Sequence, residues 1–233
     1  MTQNEYLEKC LVTYSLVTTL SDKNGCRVLR LRHKRLGKDV TLRLLPDASR
    51  VYEKLCSVKC PNLPEIYDAV SLDDGTAVLE EYIDGINVGE IMETGLYKYK
   101  GAAEVLRGVC SALTVLHSRS IVHRDVKPEN VLVTPSGRVV LIDFNASRVH
   151  SLGKKDTVIM GTVGYAPPEQ LGMAQSDDRT DVYAAGVLLN VMLTGAHPTE
   201  VLADGRAGRI VKKCTMVNPD DRFQSAEDLA NAL

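Results

Sequence analysis

Two short polar stretches of the sequence carry side chains that can act on a phosphate. The first runs from His123 to Asn130 and reads H-R-D-V-K-P-E-N, and the second begins at Asp143. Asn130 and Asp143 offer the oxygen ligands that Mg²⁺ prefers, and the ammonium group of Lys127 can neutralise a phosphate. Asp125 can orient or deprotonate a hydroxyl group. Together these residue types predict a site for phosphoryl transfer.

A predicted β-hairpin brings the two stretches together. Residues 131–134 and 138–142 are rich in β-branched and aliphatic side chains, and a Pro-Ser-Gly turn joins them. A hairpin returns the chain to its starting point, so the residues before its first strand and after its second lie near each other. The alternative is a hairpin with buried carboxylates and no chemistry. This alternative requires that all eight positions of the first stretch, together with the distal Asp143, match the pattern of a phosphoryl-transfer site by chance.

The pattern H-R-D-x-K-P-E-N, followed by Asp-Phe-x at 143–145, resembles the catalytic core of the eukaryotic-like Ser/Thr protein kinase family. The resemblance covers roughly residues 11–233 and implies an α+β, two-lobed protein kinase fold. Its N-lobe is small and mainly β with a short αC helix, and its C-lobe is larger and mainly α. We expect one kinase domain over residues 1–233, with the N-lobe at about 1–82, the hinge at about 80–86 and the C-lobe at about 87–233.

The resemblance also implies ATP and Mg²⁺ as cofactors and a Ser/Thr protein substrate. The implied catalytic residues are Asp125, Lys127 and Asn130, with Asn130 and Asp143 on the metal. Val28 and Leu132 are expected to sandwich adenine. The hinge residues are expected to present backbone groups to it. The full set of implied nucleotide contacts is Val28, Thr41, Arg43, Glu80, Glu81, Ile83 and Leu132.

Several N-lobe signals of the family are altered in this sequence. Arg43 stands at the position of the ATP-anchoring lysine, and Val51 at that of the glutamate that pairs with it. Gly25 is the only glycine in a turn where the family has three, and backbone N–H groups approach phosphates closely where side chains are absent. Glu80 occupies the gatekeeper position, which usually holds an apolar residue or Thr. These changes predict slow turnover.

The resemblance implies that the strands of Arg43 and Glu80 are neighbours in the sheet, with both side chains on the same face. An unpaired charge buried there would be costly, and Arg can form two parallel hydrogen bonds with a carboxylate. We therefore predict an Arg43–Glu80 ion pair in place of the family's Lys–Glu pair between strand and helix. Glu53 lies two positions from Val51 and faces about 200° away on a helix, so it is not expected to supply the carboxylate.

The rest of the chain predicts the elements that hold these residues. A helix that is apolar on nearly every face, and therefore buried, is expected at 179–194. The resemblance implies that it lies at the centre of the C-lobe and that Asp181 holds the backbone of residues 123–130, called here the catalytic loop. Strands are expected at 11–20, 26–33, 40–45, 66–70 and 76–79, and further helices at 1–9, within 47–60, at 87–93, at 98–118 and from 225.

The segment Gly161–Glu169 resembles the end of a kinase activation segment. Thr157 is the predicted phosphate acceptor, Thr162 is expected to help position the catalytic loop, and Arg222 is expected to pair with Glu169. Such a segment shapes a peptide-docking surface, which argues against a small-molecule kinase. Three functions stay open at this point: an active Ser/Thr protein kinase, a pseudokinase that binds nucleotide or a partner, and a small-molecule kinase.

Composition is that of an ordinary globular protein. The chain has 28 basic and 30 acidic residues and a net charge of -2, so nothing in the overall charge suggests a nucleic-acid or membrane-surface partner. No apolar run of about 18 residues or more is present, so no membrane segment is expected. The six cysteines are scattered without metal-ligand spacing, which predicts reduced thiols in a cytoplasmic protein. The sequence does not indicate an oligomeric state.

Overall fold

The structure, a computed structural model, describes residues 1–149, Tyr165, Pro167 and residues 176–233. The chain divides into two compact units. The N-terminal unit comprises Met1–Cys60 and Pro64–Ile83, and the C-terminal unit comprises Pro61–Leu63 and Asp84–Leu233. Strands dominate the first unit and helices the second, so the predicted α+β class is confirmed.

The N-terminal unit is a five-stranded antiparallel sheet with two helices, in the strand order β1-β2-β3-β5-β4. Its elements are α1 (Gln3–Thr13), β1 (Tyr14–Lys23), β2 (Cys26–His33), β3 (Asp39–Leu45), α2 (Arg50–Leu55), β4 (Ile66–Leu72) and β5 (Gly75–Glu81).

One face of this sheet is apolar and packs against α1. Leu29 and Leu31 of β2 and Leu42 and Leu44 of β3 are buried there together with Tyr6 of α1. Side chains alternate between the two faces of a strand, so every second residue of β2 and β3 enters this core. The residues in between lie on the opposite face.

The first helix is longer than the sequence predicted, and the first strand begins later. A strand was expected over 11–20, but residues 11–13 belong to α1, and β1 is Tyr14–Lys23. A capping box stabilises the start of α1. At its end, the ammonium group of Lys34 donates to the carbonyl oxygen of Leu11 at 2.6 Å. These tertiary contacts override the β propensity of the stretch.

Two further boundaries differ from the sequence prediction. The short helix expected within 47–60 is α2, but Val58, which was placed on its apolar face, is buried beyond the helix end. Strand β5 continues to Glu81, two residues past the expected end at Leu79. Glu80 therefore lies inside the sheet, opposite Ile66 of β4.

The C-terminal unit contains five helices longer than one turn within its described residues, together with short strands. Its elements are β6 (Ile86–Asn87), α3 (Val88–Glu93), α4 (Tyr99–His117), β7 (Ile121–Val122), a 3₁₀ turn (Pro128–Asn130), β8 (Val131–Val133), β9 (Val139–Leu141), β10 (Arg148–Val149), α5 (Asp178–Thr194), α6 (Gly205–Cys214), a second 3₁₀ turn (Pro219–Asp221) and α7 (Ala226–Ala232).

The three residues Pro61–Leu63 join the C-terminal unit because they bind β9 and its turn. The N–H of Leu141 donates to the carbonyl oxygen of Asn62 at 3.0 Å, and the Asn62 amide donates to the carbonyl oxygen of Val139 at 2.7 Å. The guanidinium of Arg138 donates to the carbonyl oxygen of Pro61 at 2.5 Å. These hydrogen bonds stabilise the hairpin of β8 and β9, which follows residues 123–130.

Helix α5 is buried at the centre of the C-terminal unit, which confirms its prediction. A capping box between Asp177 and Thr180 starts it, and Gly195 ends it with a φ of 72°, a conformation that glycine adopts without strain. Helices α4 and α6 both pack on α5. Helix α4 has a buried apolar stripe that consists of Val105, Val109, Ala112, Leu113 and Leu116.

In the described ranges, no helix is both long enough and apolar enough to cross a bilayer.

The close packing of α5 on α6 predicts that an alanine at Gly186 of α5 destabilises the protein. An alanine at Gly101 of α4, which has more space around it, should not. A Cβ at Gly186 would lie 2.2 Å from the Cβ of Cys214. Gly186→Ala should therefore force the helices apart and lower the free energy of unfolding by about 1–3 kcal/mol. At Gly101 of α4, the nearest described atom to a new Cβ is on the Tyr97 ring at 3.4 Å. Gly101→Ala should thus be neutral or stabilise by up to about 1 kcal/mol.

Urea unfolding of the two variants and the wild type measures this difference. A Gly186→Ala protein as stable as Gly101→Ala would show that α5 and α6 are not packed this closely.

Candidate active site

The stretch from His123 to Asn130 forms a loop between β7 and β8. The amide nitrogen of Asn130 donates to the main-chain oxygen and to Oδ2 of Asp125, both at 2.8 Å. Nζ of Lys127 lies 2.9 Å from the same Oδ2. The three side chains predicted to be catalytic therefore form one cluster, in which the Asp125 carboxylate has a fixed orientation.

Asp143 follows β9, and the hairpin predicted to bring it back to the loop is confirmed. Strands β8 and β9 pair antiparallel, with Val131 opposite Leu141. The N–H of Ile142 donates to the main-chain oxygen of Asn130 at 2.9 Å. Asp143 therefore directly follows a residue that is hydrogen-bonded to Asn130. Asp143 has a φ of 66°, in the left-handed region that residues with side chains seldom adopt. Such strain concentrates at functional positions.

The donor set at this point fits Mg²⁺. Asn130 turns its amide nitrogen toward Asp125, which places its amide oxygen on the other side. Asp143 supplies a carboxylate at the adjoining strand end. Both groups are hard oxygen donors, and proteins usually hold Mg²⁺ with one or two such groups together with the phosphates of a substrate.

Asp181 of α5 holds the backbone of the catalytic loop, and this prediction is confirmed. Its carboxylate accepts the N–H groups of His123 and Arg124, both at 2.8 Å, and lies 2.8 Å from Nε2 of His117. The side chain is fully buried. Burial alone would raise the pKa of Asp181, but the hydrogen bond and charge of His117 and the other donors hold it below its ordinary value. The buried carboxylate is therefore ionised.

The contact between His117 and Asp181 was not predicted from the sequence. His117 is the last residue of α4, and its side chain is buried there. Burial favours its neutral form, but the hydrogen bond and the charge of Asp181 outweigh burial and raise its pKa. A histidine in the last helical turn is typical of an interaction with the helix dipole, so the sequence carries no signal for the Asp181 carboxylate.

His123 orients the backbone at Asp125. Burial lowers the pKa of His123, so the ring is neutral. Its Nδ1 accepts the N–H of Asp125 at 3.3 Å, which places the ring proton on Nε2, where it is donated to the carbonyl oxygen of Ile142 at 3.2 Å. The ring of Phe144 meets it edge to face with centroids 5.6 Å apart, and Phe144 is buried.

Ser147 is a further residue at the loop that sequence reasoning missed. Its hydroxyl donates to the main-chain oxygen of His123 at 3.1 Å, and the adjoining β10 pairs with β7. The residues after Asp143 thus return to the loop and bind its backbone.

The predicted Arg43–Glu80 pair is present in the N-terminal unit. Strands β3 and β5 are antiparallel neighbours with Thr41 opposite Glu80, so Arg43 is its diagonal neighbour on the same face. Nε of Arg43 lies 2.5 Å from Oε1 of Glu80, and the two side chains are only 9% and 3% exposed. This pair confirms that the carboxylate beside Arg43 comes from the sheet.

Helix α2 carries a different set of contacts. Val51, at the position of the family's glutamate, is buried and apolar. Glu53 is exposed and accepts a hydrogen bond from the Ser71 hydroxyl at 3.3 Å. Glu53 therefore lies where the sequence placed it, away from the position of the missing carboxylate.

The structure brings together four of the residues predicted to contact nucleotide. Val28 lies opposite Arg43 in the register of β2 and β3, and Thr41 lies opposite Glu80. All four are buried on one face of the sheet, the face opposite the leucine core.

The other three predicted contacts lie elsewhere. Glu81 ends β5, and its N–H donates to the main-chain oxygen of Glu65 at 2.8 Å. Ile83 is buried at the last position of the N-terminal unit, and Leu132 is half-buried in β8 of the C-terminal unit.

Most of the predicted activation segment lies outside the described residues. This is the case for Thr157, Thr162 and Glu169. Arg222, the predicted partner of Glu169, is itself buried, and its guanidinium donates to the main-chain oxygens of Met216 at 2.8 Å and Arg179 at 3.1 Å. In the described residues Arg222 therefore ties the start of α5 to the segment after α6.

Comparison with known proteins identifies the family. A family model described as the protein kinase domain matches residues 34–231. The chain belongs to the protein kinase family. It is 30% identical over 199 residues to a probable serine/threonine-protein kinase of Clostridium perfringens, which covers 79% of this chain and 29% of that relative.

Two further bacterial relatives carry similar names. Serine/threonine-protein kinase PrkC of Bacillus subtilis is 29% identical over 206 residues, a match that covers 77% of this chain and 32% of PrkC. Serine/threonine-protein kinase PknB of Mycobacterium tuberculosis is 31% identical over 187 residues, a match that covers 72% of this chain and 30% of PknB. The predicted resemblance to the eukaryotic-like Ser/Thr family is thus confirmed. The chain spans about a third or less of the length of these relatives.

A solved structure shows the same fold. The kinase domain of Mycobacterium tuberculosis PknI matches with a TM-score of 0.73 at 23% identity, over 94% of each chain. The predicted protein kinase fold, with a β-sheet N-lobe and a helical C-lobe, is therefore confirmed.

The buried Arg43–Glu80 pair predicts strongly non-additive substitutions. Arg43→Met or Glu80→Met alone leaves a buried charge without this partner and should lower the free energy of unfolding by about 3–5 kcal/mol. The double variant buries neither charge and should lose far less than the sum of the two.

Urea unfolding of the four proteins gives the coupling energy. Lys59→Met and Glu65→Met form the control cycle, because that pair is 3.6 Å apart with side chains 87% and 47% exposed. Its coupling should stay below about 1 kcal/mol. Equal coupling in the two cycles would exclude a buried pair.

The raised pKa of His117 predicts a pH-dependent contribution to stability. A group with a raised pKa in the folded state stabilises fully below its unfolded value, and the contribution is lost as pH rises through the folded pKa. The difference in free energy of unfolding between wild type and His117→Gln should thus shrink as pH rises above about 6.5. Urea unfolding in a pH series measures it. A difference that does not change with pH would contradict the protonated His117–Asp181 pair.

Proposed function

We propose that residues 1–233 act as a protein kinase domain that binds Mg-ATP and transfers the γ-phosphoryl group to a Ser or Thr hydroxyl of a protein substrate, with slow turnover. One observation carries this proposal: the Asp125 carboxylate is held by Asn130 and lies beside Lys127. A fixed carboxylate can take the proton of a hydroxyl, and an adjacent ammonium group can stabilise negative charge on the transferred group. Membership of the protein kinase family supports the same reaction.

Each side chain of the cluster has a proposed role. Asp125 orients the acceptor hydroxyl and takes its proton as the oxygen bonds to phosphorus and the bond to the leaving diphosphate breaks. Lys127 neutralises charge on the transferred phosphoryl group. Asn130 and Asp143 hold Mg²⁺, which when bound supplies positive charge to the phosphates. The bonds from the loop backbone to Asp181 keep these groups in place, so little reorganisation accompanies the reaction.

The proposed nucleotide contacts are those that the sequence predicted: Val28, Thr41, Arg43, Glu80, Glu81, Ile83 and Leu132. Slow turnover follows from the state of Arg43. Its guanidinium is bonded to Glu80, so less of its charge is available to position phosphates than with an unshared lysine. Positioning and charge stabilisation supply most of the rate enhancement in phosphoryl transfer.

The same pair favours a second candidate function. A pseudokinase binds nucleotide or a partner protein without useful turnover. Arg43 is bonded to Glu80, and Val51 offers no carboxylate from α2. Both features remove parts of the family's machinery for anchoring ATP, whereas the catalytic loop retains its groups. Activity measurements therefore decide between the two candidates.

Replacing Asp125 separates binding from transfer. Asp125→Asn should keep the rise in melting temperature that Mg-ATP produces and lower the transfer of radiolabelled phosphate to peptides at least about 100-fold, because the proton acceptor is lost. Asp143→Asn should remove the Mg²⁺-dependent part of the rise. Asp204→Asn alters an exposed carboxylate of the same unit and should transfer as wild type does.

The outcomes distinguish the candidates. If wild type is stabilised by Mg-ATP but transfers nothing to broad peptide libraries, the pseudokinase is established. If Asp125→Asn transfers as well as wild type, Asp125 does not have the proposed role. A chain that shows neither Mg²⁺-dependent ATP binding nor transfer contradicts both candidates.

A further inference from the structure

A strongly basic segment lies in the N-terminal unit, on β2 and the turn that leads to β3. Residues 26–38 contain six Lys or Arg and no Asp or Glu. With Asp39 the segment has a net charge of +5, from six positive charges and one negative. The whole chain carries -2, so the rest of it carries -7. The near-neutral overall charge therefore conceals a positive patch on one hairpin.

The strand part of this segment is partly neutralised within the sheet, where the single carboxylate of Asp39 meets two of the three arginines of β2. Arg30 and Arg32 both form salt bridges with Asp39. The hydrogen bond from Arg32, with the further contribution of Arg30, lowers the pKa of Asp39 to about 2. The guanidinium of Arg30 also lies 4.1 Å from the centre of the Tyr82 ring. The turn adds Lys34, Arg35 and Lys38, all exposed, without any acidic residue between them.

Residues 34–38 form a well-defined turn, called here the hairpin tip. The N–H of Gly37 donates to the main-chain oxygen of His33 at 2.9 Å, and Nδ1 of His33 accepts the N–H groups of Arg35 and Leu36, both at 3.2 Å. The His33 ring packs edge to face on Tyr14, with centroids 5.1 Å apart. These contacts hold Arg35, Leu36 and Lys38 at the surface, where all three are exposed.

The hairpin tip adjoins the end of α1, and both expose an aliphatic side chain. The Lys34 ammonium donates to the main-chain oxygens of Leu11 and Val12, at 2.6 and 3.2 Å. Leu36 is 59% exposed and Val12 is 77% exposed. The surface thus combines aliphatic side chains with the basic side chains of Arg35 and Lys38. Neither aliphatic group contributes to the leucine core under α1.

This combination fits the surface of an anionic bilayer better than a polyanion in water. Basic side chains bind acidic headgroups, while aliphatic side chains between them enter the boundary of the acyl chains. A nucleic acid or an acidic peptide offers the negative charge but no apolar phase for Leu36 and Val12. Among these partners only the bilayer matches both properties.

We propose that the hairpin tip and Val12 dock on a membrane surface that contains anionic lipids. Each basic residue near such a surface strengthens binding roughly fivefold, so docking through a few residues is weak, reversible and sensitive to salt. Docking needs no membrane-spanning helix and involves none of the residues placed in the catalytic loop. It is therefore independent of whether the chain transfers phosphate.

Co-sedimentation of the full chain with lipid vesicles tests this proposal. The chain should bind vesicles rich in phosphatidylglycerol, should not bind pure phosphatidylcholine vesicles, and should be released by salt. Arg35→Glu/Lys38→Glu should weaken binding at least about 25-fold, from two roughly fivefold losses. Leu36→Asp should weaken it about tenfold or more through the loss of apolar insertion.

Arg209→Glu/Lys212→Glu is the matched control, because it makes the same change in net charge at two exposed positions of α6. This variant should bind vesicles as wild type does, and melting temperatures establish that all variants fold. The proposal is wrong if both vesicle types bind equally, if the control weakens binding as much as the tip variant, or if Leu36→Asp has no effect. Binding of RNA or an acidic peptide at the tip, without vesicle binding, also overturns it.

Discussion

The geometry of the catalytic loop depends on one buried anion, the carboxylate of Asp181. A fully buried carboxylate stays ionised only where donors replace the water that it has lost. The backbone of the loop supplies two of these donors, and His117 supplies another. The loop cannot move away from α5 without leaving a buried charge poorly solvated, so the positions of Asp125, Lys127 and Asn130 follow from the position of α5.

This anchoring also explains how the loop tolerates strained backbone. Arg124 has a φ of 68° and Asp143 a φ of 66°, and such conformations are unfavourable by about 1–3 kcal/mol each for residues with side chains. The Arg124 N–H bonds directly to Asp181, and Asp143 follows the bond from Ile142 to Asn130. Strong neighbouring bonds thus stabilise a backbone path that the local sequence alone would not favour. The path accompanies the clustering of Asn130 and Lys127 around the Asp125 carboxylate.

The sequence was informative where its signals were local and less so where contacts crossed the chain. The hairpin after the catalytic loop and the buried helix α5 could be predicted from local patterns, because strand alternation and helical periodicity decide which side chains share a face. The Arg43–Glu80 pair also needed the strand order that the family resemblance implied. The start of β1 was missed because Lys34, from another element, binds the end of α1. The partner of His117 was missed because the pattern of α4 does not show which distant carboxylate faces its last turn.

The Arg43–Glu80 pair constrains how this sheet can change over evolution. The two residues lie on neighbouring strands, and both side chains are buried on the same face of the sheet. Replacing Glu80 alone with the family's usual apolar gatekeeper leaves the Arg43 charge buried without this partner, and selection removes proteins that fall below a stability threshold. The gatekeeper position is therefore expected to become apolar only together with a change at position 43. A chain that carries the pair thus has few viable single-step routes to the arrangement that is usual in the family.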